Sequence, residues 1–265
     1  MTQTDKTESK KRAKGRHARR KKRKIGWATW FKWGLAAVVL AAMLGAGGYV
    51  YLLLNGDKLL RENMAKLDMP EASIFYDAEG EEFYRFYREN RNLAKAEEVP
   101  ELLIQAFIAK EDQRFYEHEG IDFWAIGRAL VTDIIHRSFV QGGSTITQQL
   151  AKNLFLNADK TFLRKATEAS MAVALERRYD KDEIILMYLN TIFFGQGAYG
   201  VKSAAEVYFG KEDLQTLELW EIATLAAIPK APSLYNPITD PEKSKEQRQV
   251  VLRLMEEQGY ITREE

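Results

Sequence analysis

The sequence contains no cysteine. That removes disulfides, thiolate nucleophiles and cysteine-based metal sites together. Histidine is nearly as scarce: of the three, His17 and His136 stand at no ligand spacing from His118, so His118 is expected to make a structural hydrogen bond rather than hold a metal. No internal repeat is found at solenoid or propeller periods, so the 265 residues are expected to form one core of ordinary size beside an anchor. Any chemistry must come from carboxylates, hydroxyls, amides and cations.

The formal net charge of +1 conceals a strong asymmetry. Residues 1–24 hold twelve Lys or Arg against Asp5 and Glu8, while the remainder holds 27 bases and 36 acids. Polar and without apolar periodicity, this tail is expected to be a disordered cytoplasmic flank rather than a nucleic-acid-binding arm. From Trp33 to Leu54 no residue is charged. As a helix these 22 residues cover about 33 Å, matching a hydrocarbon core of about 30 Å. Trp27, Trp30, Phe31 and Trp33 at the basic end and Tyr49 and Tyr51 towards the other suit the two interfaces. The run is longer than the apolar region of a cleaved signal, so an uncleaved single-pass anchor is expected, with the amino end cytoplasmic and the remaining chain outside.

After Asn55 the chain reads as soluble, with a short polar helix expected over 58–66. Ala72 to Tyr76 and Glu82 to Arg88 alternate around Asp77-Ala78-Glu79-Gly80, which predicts a small hairpin. From Pro100 the periodicity is helical, with segments near 101–117, 121–137, 144–155, 161–178, 181–191, 198–208, 215–228 and 241–258. The expected class is mainly α with a small β-hairpin, preceded by one membrane helix. The boundaries read as a basic tail at 1–24, an anchor at 25–55, a linker and hairpin region at 56–98, and a helical domain at 99–265.

Within that domain, Ile104, Ile108, Glu111 and Phe115 share one stripe if 101–115 is helical. A carboxylate on an apolar stripe has its pKa raised towards neutral, which suits a general base; the bland reading is a buried Glu satisfied by Arg114 or a backbone amide. Asp112 either orients Glu111 or caps a turn. Arg164 and Lys165 lie at i−4 and i−3 of Glu168, which reads either as a solvated helix face or as cations set for a pyrophosphate and its bridging divalent ion. Lys152 follows Gln148 and Gln149 on one face. Ser144 and Thr145 read as an N-cap, with Gln148 in capping-box relation to Thr145 and Gly142-Gly143 before them. The segment from Ile121 to Val140 carries Phe123, Trp124, Ile126, Leu130, Ile134, Ile135, Phe139 and Val140, and is either a core helix or a face that dips into the outer leaflet.

Taken together, the blocks Glu111-Asp112-x-x-Phe115-x-x-His118-x-Gly120, Gly143-Ser144-Thr145-Ile146-Thr147-Gln148-Gln149 and Arg164-Lys165-x-x-Glu168 resemble the peptidoglycan glycosyltransferases of family 51. This is the polymerising module of class A penicillin-binding proteins and of monofunctional transglycosylases. The similarity continues through Tyr188-Leu189-Asn190 and Pro229-Lys230-Ala231-Pro232-Ser233-x-Tyr235-Asn236-Pro237, and several blocks in order make it specific. It departs at Leu186, where the family has glutamate, and at Gln247-Arg248, where it has paired arginines; both departures are expected to touch helix packing rather than the reacting groups. No Ser-x-x-Lys or Lys-Thr-Gly motif of a transpeptidase is found, and Gly259-Tyr260-Ile261-Thr262 reads like the run into such a second domain, as in a fragment.

The resemblance implies a lysozyme-like helical fold in which Glu111 is the base and Glu168 assists at the leaving group. It implies that Ser144, Gln149, Lys152, Arg164 and Lys165 contact the sugar pyrophosphate, and Asp112, Phe115 and Lys160 are counted with this substrate-binding set. The implied substrates are lipid II and the growing glycan strand, joined in β-1,4 linkage by inversion with release of undecaprenyl pyrophosphate. A divalent cation, Mg or Mn, is the implied cofactor, with no organic cofactor. The implied partners are the bilayer and proteins of wall synthesis or division, with no nucleic acid. A lysozyme-like hydrolase and an inactive wall-assembly scaffold are the competing classes.

Overall fold

The computed structural model describes residues 27–64, 73–76, 82–86, 90–136, 143–155 and 162–265. The basic tail, Lys160, Gly142, Phe139 and Val140 lie outside the described residues, as do the side chains of Leu130, Ile134 and Ile135. The chain divides into two units, residues 1–47 and 48–265.

A proline-free run of small and aliphatic residues supports one uninterrupted helix, α1 (Trp27–Glu62). Residues 29–62 have the length and composition to cross a membrane, and the most apolar stretch of 18 residues within them has none buried. The break expected at Asn55 does not occur. Instead the second unit's share of α1 is held by the domain: Leu60 is in the core and Asp57 pairs with Arg177 at 2.9 Å. Gly56 meets α5 (Phe162–Glu176) so closely that a Cβ would stand 2.1 Å from the Ser170 carbonyl oxygen.

The hairpin forms where the alternation places it: β1 (Ser73–Tyr76) pairs antiparallel with β2 (Glu82–Phe86), Ser73 opposite Phe86. A second, three-stranded sheet escapes sequence reading. In it β3 (Asn90–Arg91) runs parallel to β5 (Ala198–Tyr199), which pairs antiparallel with β4 (Phe193–Gly195). Strands of two or three residues are too short to show alternation.

The helix expected over 101–117 is shorter. α2 (Glu101–Glu111) stops because Asp112 leaves the helical conformation, at φ −159° and ψ 77°, and the chain resumes as a 3-10 turn over Phe115–Glu117. Asp122 then starts α3 (Phe123–His136), its Oδ1 accepting from the Trp124 and Ala125 amides at 2.9 Å each. The first turn of α3 leaves Phe123 and Trp124 67% and 69% exposed. α4 (Ile146–Phe155) opens with the capping box read from the sequence: the Gln148 amide donates to Thr145 Oγ1 and the Thr145 amide to Gln148 Oε1, both at 3.1 Å. Asp180 and Glu183 form another such box at the head of α6 (Lys181–Thr191). α7 (Val201–Phe209), α8 (Leu219–Ala227) and α9 (Pro241–Glu257) complete the domain.

Apolar faces of these helices build the core. α8 packs on α9 and α2, and α4 packs on α5 and α6. Phe107 stands edge-on to Tyr188 and Phe194, with ring centroids 6.2 Å apart in each pair. The architecture is mainly α, with two small sheets and a long apolar amino-terminal helix.

Candidate active site

Three helix ends meet beside Glu111. The last residue of α2 is Glu111 itself, half-buried, and Gln149 of α4 donates from Nε2 to its Oε2 at 2.9 Å. The Tyr188 hydroxyl in turn donates to Gln149 Oε1 at 3.2 Å, so both ends of the amide are assigned and its donor face points at the carboxylate. Burial, with the charges of Glu111 and Asp112 adding to it, pushes the Tyr188 phenol well above its ordinary pKa, so it remains a donor.

Beneath this chain of donors lies a second polar layer. Asp112 Oδ2 accepts from the Ile146 amide and from His118 Nε2, each at 2.9 Å. Because His118 Nδ1 accepts from the Gly120 amide at 3.2 Å, the proton sits on Nε2. Glu176 accepts from Thr147 Oγ1 at 2.6 Å and from Lys181 Nζ at 2.8 Å, and Lys181 also donates to the His118 carbonyl at 2.7 Å. Gly120, at φ +89°, packs so tightly that a Cβ would stand 2.8 Å from the Ala172 backbone, and its carbonyl accepts from Thr145 Oγ1 at 2.7 Å. The head of α4 and the tail of α2 are thereby tied to one buried frame.

Above the frame, two pockets share Ser144 and Gln149. The first, about 390 Å³, holds Glu111 together with Lys110, Arg114, Arg128 and Lys230. Burial and the nearby charge of Lys230 lower the Lys110 pKa below the usual lysine value. The second, about 220 Å³, is lined by Lys152, Arg164, Lys165 and Glu168. Glu168 is only 2% exposed; Lys165 Nζ donates to its Oε2 at 2.7 Å and to Ser144 Oγ at 2.8 Å, and Arg164 binds its Oε1. A carboxylate flanked by cations thus lies in each pocket.

Of the expected site residues, Glu111, Ser144, Gln149, Lys152, Arg164, Lys165 and Glu168 come together on these two pockets. Phe115 does not: it is fully buried, packed edge-on against Tyr116 and beneath the Lys181 ammonium, and offers no surface to a substrate. Asp112 borders the first pocket but spends its carboxylate on His118 and Ile146, so it positions the frame. The apolar stripe expected for Glu111 is broken, since α2 ends there and Phe115 belongs to the next turn. Arg114, considered as its partner, pairs instead with Glu117 at 2.7 Å and lies 3.5 Å from Asp122. Gln247 is more than a packing position, its Oε1 lying 3.5 Å from Lys110 Nζ.

The sequence reading missed Lys110, Arg128, Lys230 and Tyr188. Lys230 and Tyr188 stand inside motifs already quoted, Pro229-Lys230-Ala231-Pro232 and Tyr188-Leu189-Asn190, and could have been taken from them. A divalent ion finds no ready ligands: both oxygens of Glu168 are engaged by cations, and no group of three His, Asp or Glu suited to a metal occurs among the described residues.

The helical domain, with its two carboxylates and two cation-lined pockets, belongs to the transglycosylase family, whose profile matches residues 79–256. This is the peptidoglycan glycosyltransferase module of class A penicillin-binding proteins. The chain is 48% identical over 228 residues to Penicillin-binding protein 1F of Bacillus subtilis, covering 86% of this chain and 32% of that protein. It is 45% identical to Penicillin-binding protein 1A of Aquifex aeolicus, covering 88% and 32% respectively. A solved structure of Penicillin-Binding Protein 1A from Haemophilus influenzae is 28% identical with a TM-score of 0.43, over 74% of this chain and 20% of that one. The chain spans about a third of the length of these two curated relatives.

Proposed function

We propose that the domain polymerises lipid II at the outer membrane surface, with Glu111 as the general base and the cations of the second pocket as the stabilisers of the leaving pyrophosphate. The observation that carries this reading is the pairing of pockets across two shared lining residues, Ser144 and Gln149, with a carboxylate in each. Two anionic substrates have to meet, and each pocket supplies cations for one of them.

In the first pocket the acceptor, a lipid-linked disaccharide, presents the 4-hydroxyl of its N-acetylglucosamine to Glu111. Lys110, Arg128 and Lys230 hold its pyrophosphate. Glu111 takes the hydroxyl proton as the oxygen attacks the anomeric carbon of N-acetylmuramic acid in the donor. The bond to undecaprenyl pyrophosphate breaks with its electron pair leaving on the phosphate oxygen, and the new β-1,4 linkage forms by inversion. Lys152, Arg164 and Lys165 neutralise the charge that grows on that oxygen, which stabilises the transition state more than the ground state. Glu168 fixes Arg164 and Lys165 in place. A hydrolase of finished, neutral glycan has no pyrophosphate to hold, and these cations would have no task in it.

α1 as the membrane anchor, with Phe123 and Trp124 seated in the outer leaflet, keeps the reacting sugars and the site at the same surface. The test is incubation of the purified chain with labelled lipid II. Polymer and free undecaprenyl pyrophosphate are the expected products, and Glu111→Gln should lose about 10²- to 10⁴-fold in rate with its thermal unfolding unchanged. Release of reducing ends from finished glycan, or full polymerisation by Glu111→Gln, overturns the assignment.

A further inference from the structure

A third cavity, about 570 Å³, lies between α2 and α6 and shares no lining residue with the two pockets of the active site. Its volume falls within the range of small-ligand sites. Ile104 and Ile108 of α2 and Ile185 and Leu186 of α6 form its floor, and no basic residue lines it. At its mouth stand two carboxylates, Glu101 and Asp182, and two phenols, Tyr116 and Tyr260. Leu186 keeps the floor apolar at its α6 side.

The mouth is not a neutral rim. Tyr116 is 56% exposed and its hydroxyl lies 3.4 Å from Asp182 Oδ1. Burial raises the phenol's pKa, and the carboxylates Asp182 and Glu101 raise it further, so the negative field of two groups converges on that hydroxyl. A field that disfavours a phenolate favours a cation in the same place. An exposed tyrosine face beside two carboxylates is also a seat for an ammonium.

We propose that this cavity binds a small amphiphilic cation, its apolar body on the isoleucine and leucine floor and its ammonium or guanidinium between Tyr116, Asp182 and Glu101. This is independent of the glycosyl-transfer reading. Its occupant would touch α2 one turn before Glu111, since Ile108 lines the floor and Glu111 ends the same helix.

The test uses the full chain in lipid nanodiscs with methyl-labelled isoleucine and leucine, titrated with phenethylammonium, 2-phenylethanol and 3-phenylpropionate against empty nanodiscs of the same lipid. Phenethylammonium should shift the methyl signals of Ile104, Ile185 and Leu186 and bind roughly tenfold more tightly than the alcohol, with the carboxylate weakest. Asp182→Asn should remove most of that preference, and Leu186→Lys should abolish binding, with thermal unfolding recorded to show that both variants are folded. Equal affinity for ammonium and alcohol, shifts confined to other methyls, or no shift at tens of millimolar overturns the proposal. Binding by a lysine- or arginine-bearing peptide in place of the small ammonium would also overturn it.

Discussion

Gln149 has two hydrogen-bonding ends, and both are committed, one to Glu111 and one to Tyr188. Removing the tyrosine hydroxyl frees the amide to turn its oxygen towards the carboxylate, where two acceptors would repel. Tyr188→Phe keeps the ring in its contact with Phe107, so the fold should survive while Glu111 loses its fixed orientation. The expected result is a fall in kcat of about tenfold, or about 1.4 kcal/mol of barrier, with KM little changed. A loss in KM alone would show that Tyr188 serves binding instead.

Lys110 makes a prediction in pH. Its burial and the charge of Lys230 hold its pKa below the usual lysine value, so its charge is lost as pH rises through the interval between that lowered value and the ordinary one. The unfolded chain holds that proton more tightly, so over the same window this group makes the fold more stable with rising pH while the site loses a charge. Activity and stability should therefore move in opposite directions there. Lys110→Arg keeps its charge throughout and should carry the alkaline limb of the pH–rate profile upward. Superimposable limbs would show that Lys110 is not the group that titrates.

At the level of elements, the junction of α1 with α5 is the sharpest constraint. An alanine at Gly56 gains about 1 kcal/mol of helix propensity, yet its Cβ meets a backbone carbonyl, which cannot rotate away as a side chain could. The clash should win, with Gly56→Ala destabilising the domain by about 1–3 kcal/mol in thermal or denaturant unfolding. An unchanged midpoint would mean that α1 and α5 separate without cost.

The same junction marks where the sequence stopped being informative. Periodicity located α3, α4, α6 and α9 within a few residues, and the Thr145–Gln148 box was readable because its spacing is local. The continuation of α1 through Asn55 and the early end of α2 were not, because both are decided by distant groups, Ser170 in one case and the Ile146 amide in the other. The site divided in the same way. Ionisable residues could be recognised by type, but the buried frame of Asp112, His118, Glu176 and Lys181 joins positions up to 69 residues apart and has no pattern along the chain.

For the molecule as a whole, charge asymmetry decides which way it faces. Twelve bases in residues 1–24 precede the apolar helix, and carrying them across a bilayer costs far more than leaving them in the cytoplasm, so the catalytic domain should lie outside. The absence of cysteine makes this directly measurable, because a single introduced thiol is the only one that can react. In intact spheroplasts, a membrane-impermeant maleimide should label Glu256→Cys, an exposed position on α9, at once. Ser9→Cys, in the basic tail, should react only after the membrane is opened. If Ser9→Cys reacts first, the chain faces the other way, lipid-linked sugar on the outer surface is out of reach of Glu111, and the cations of both pockets must serve some other anion.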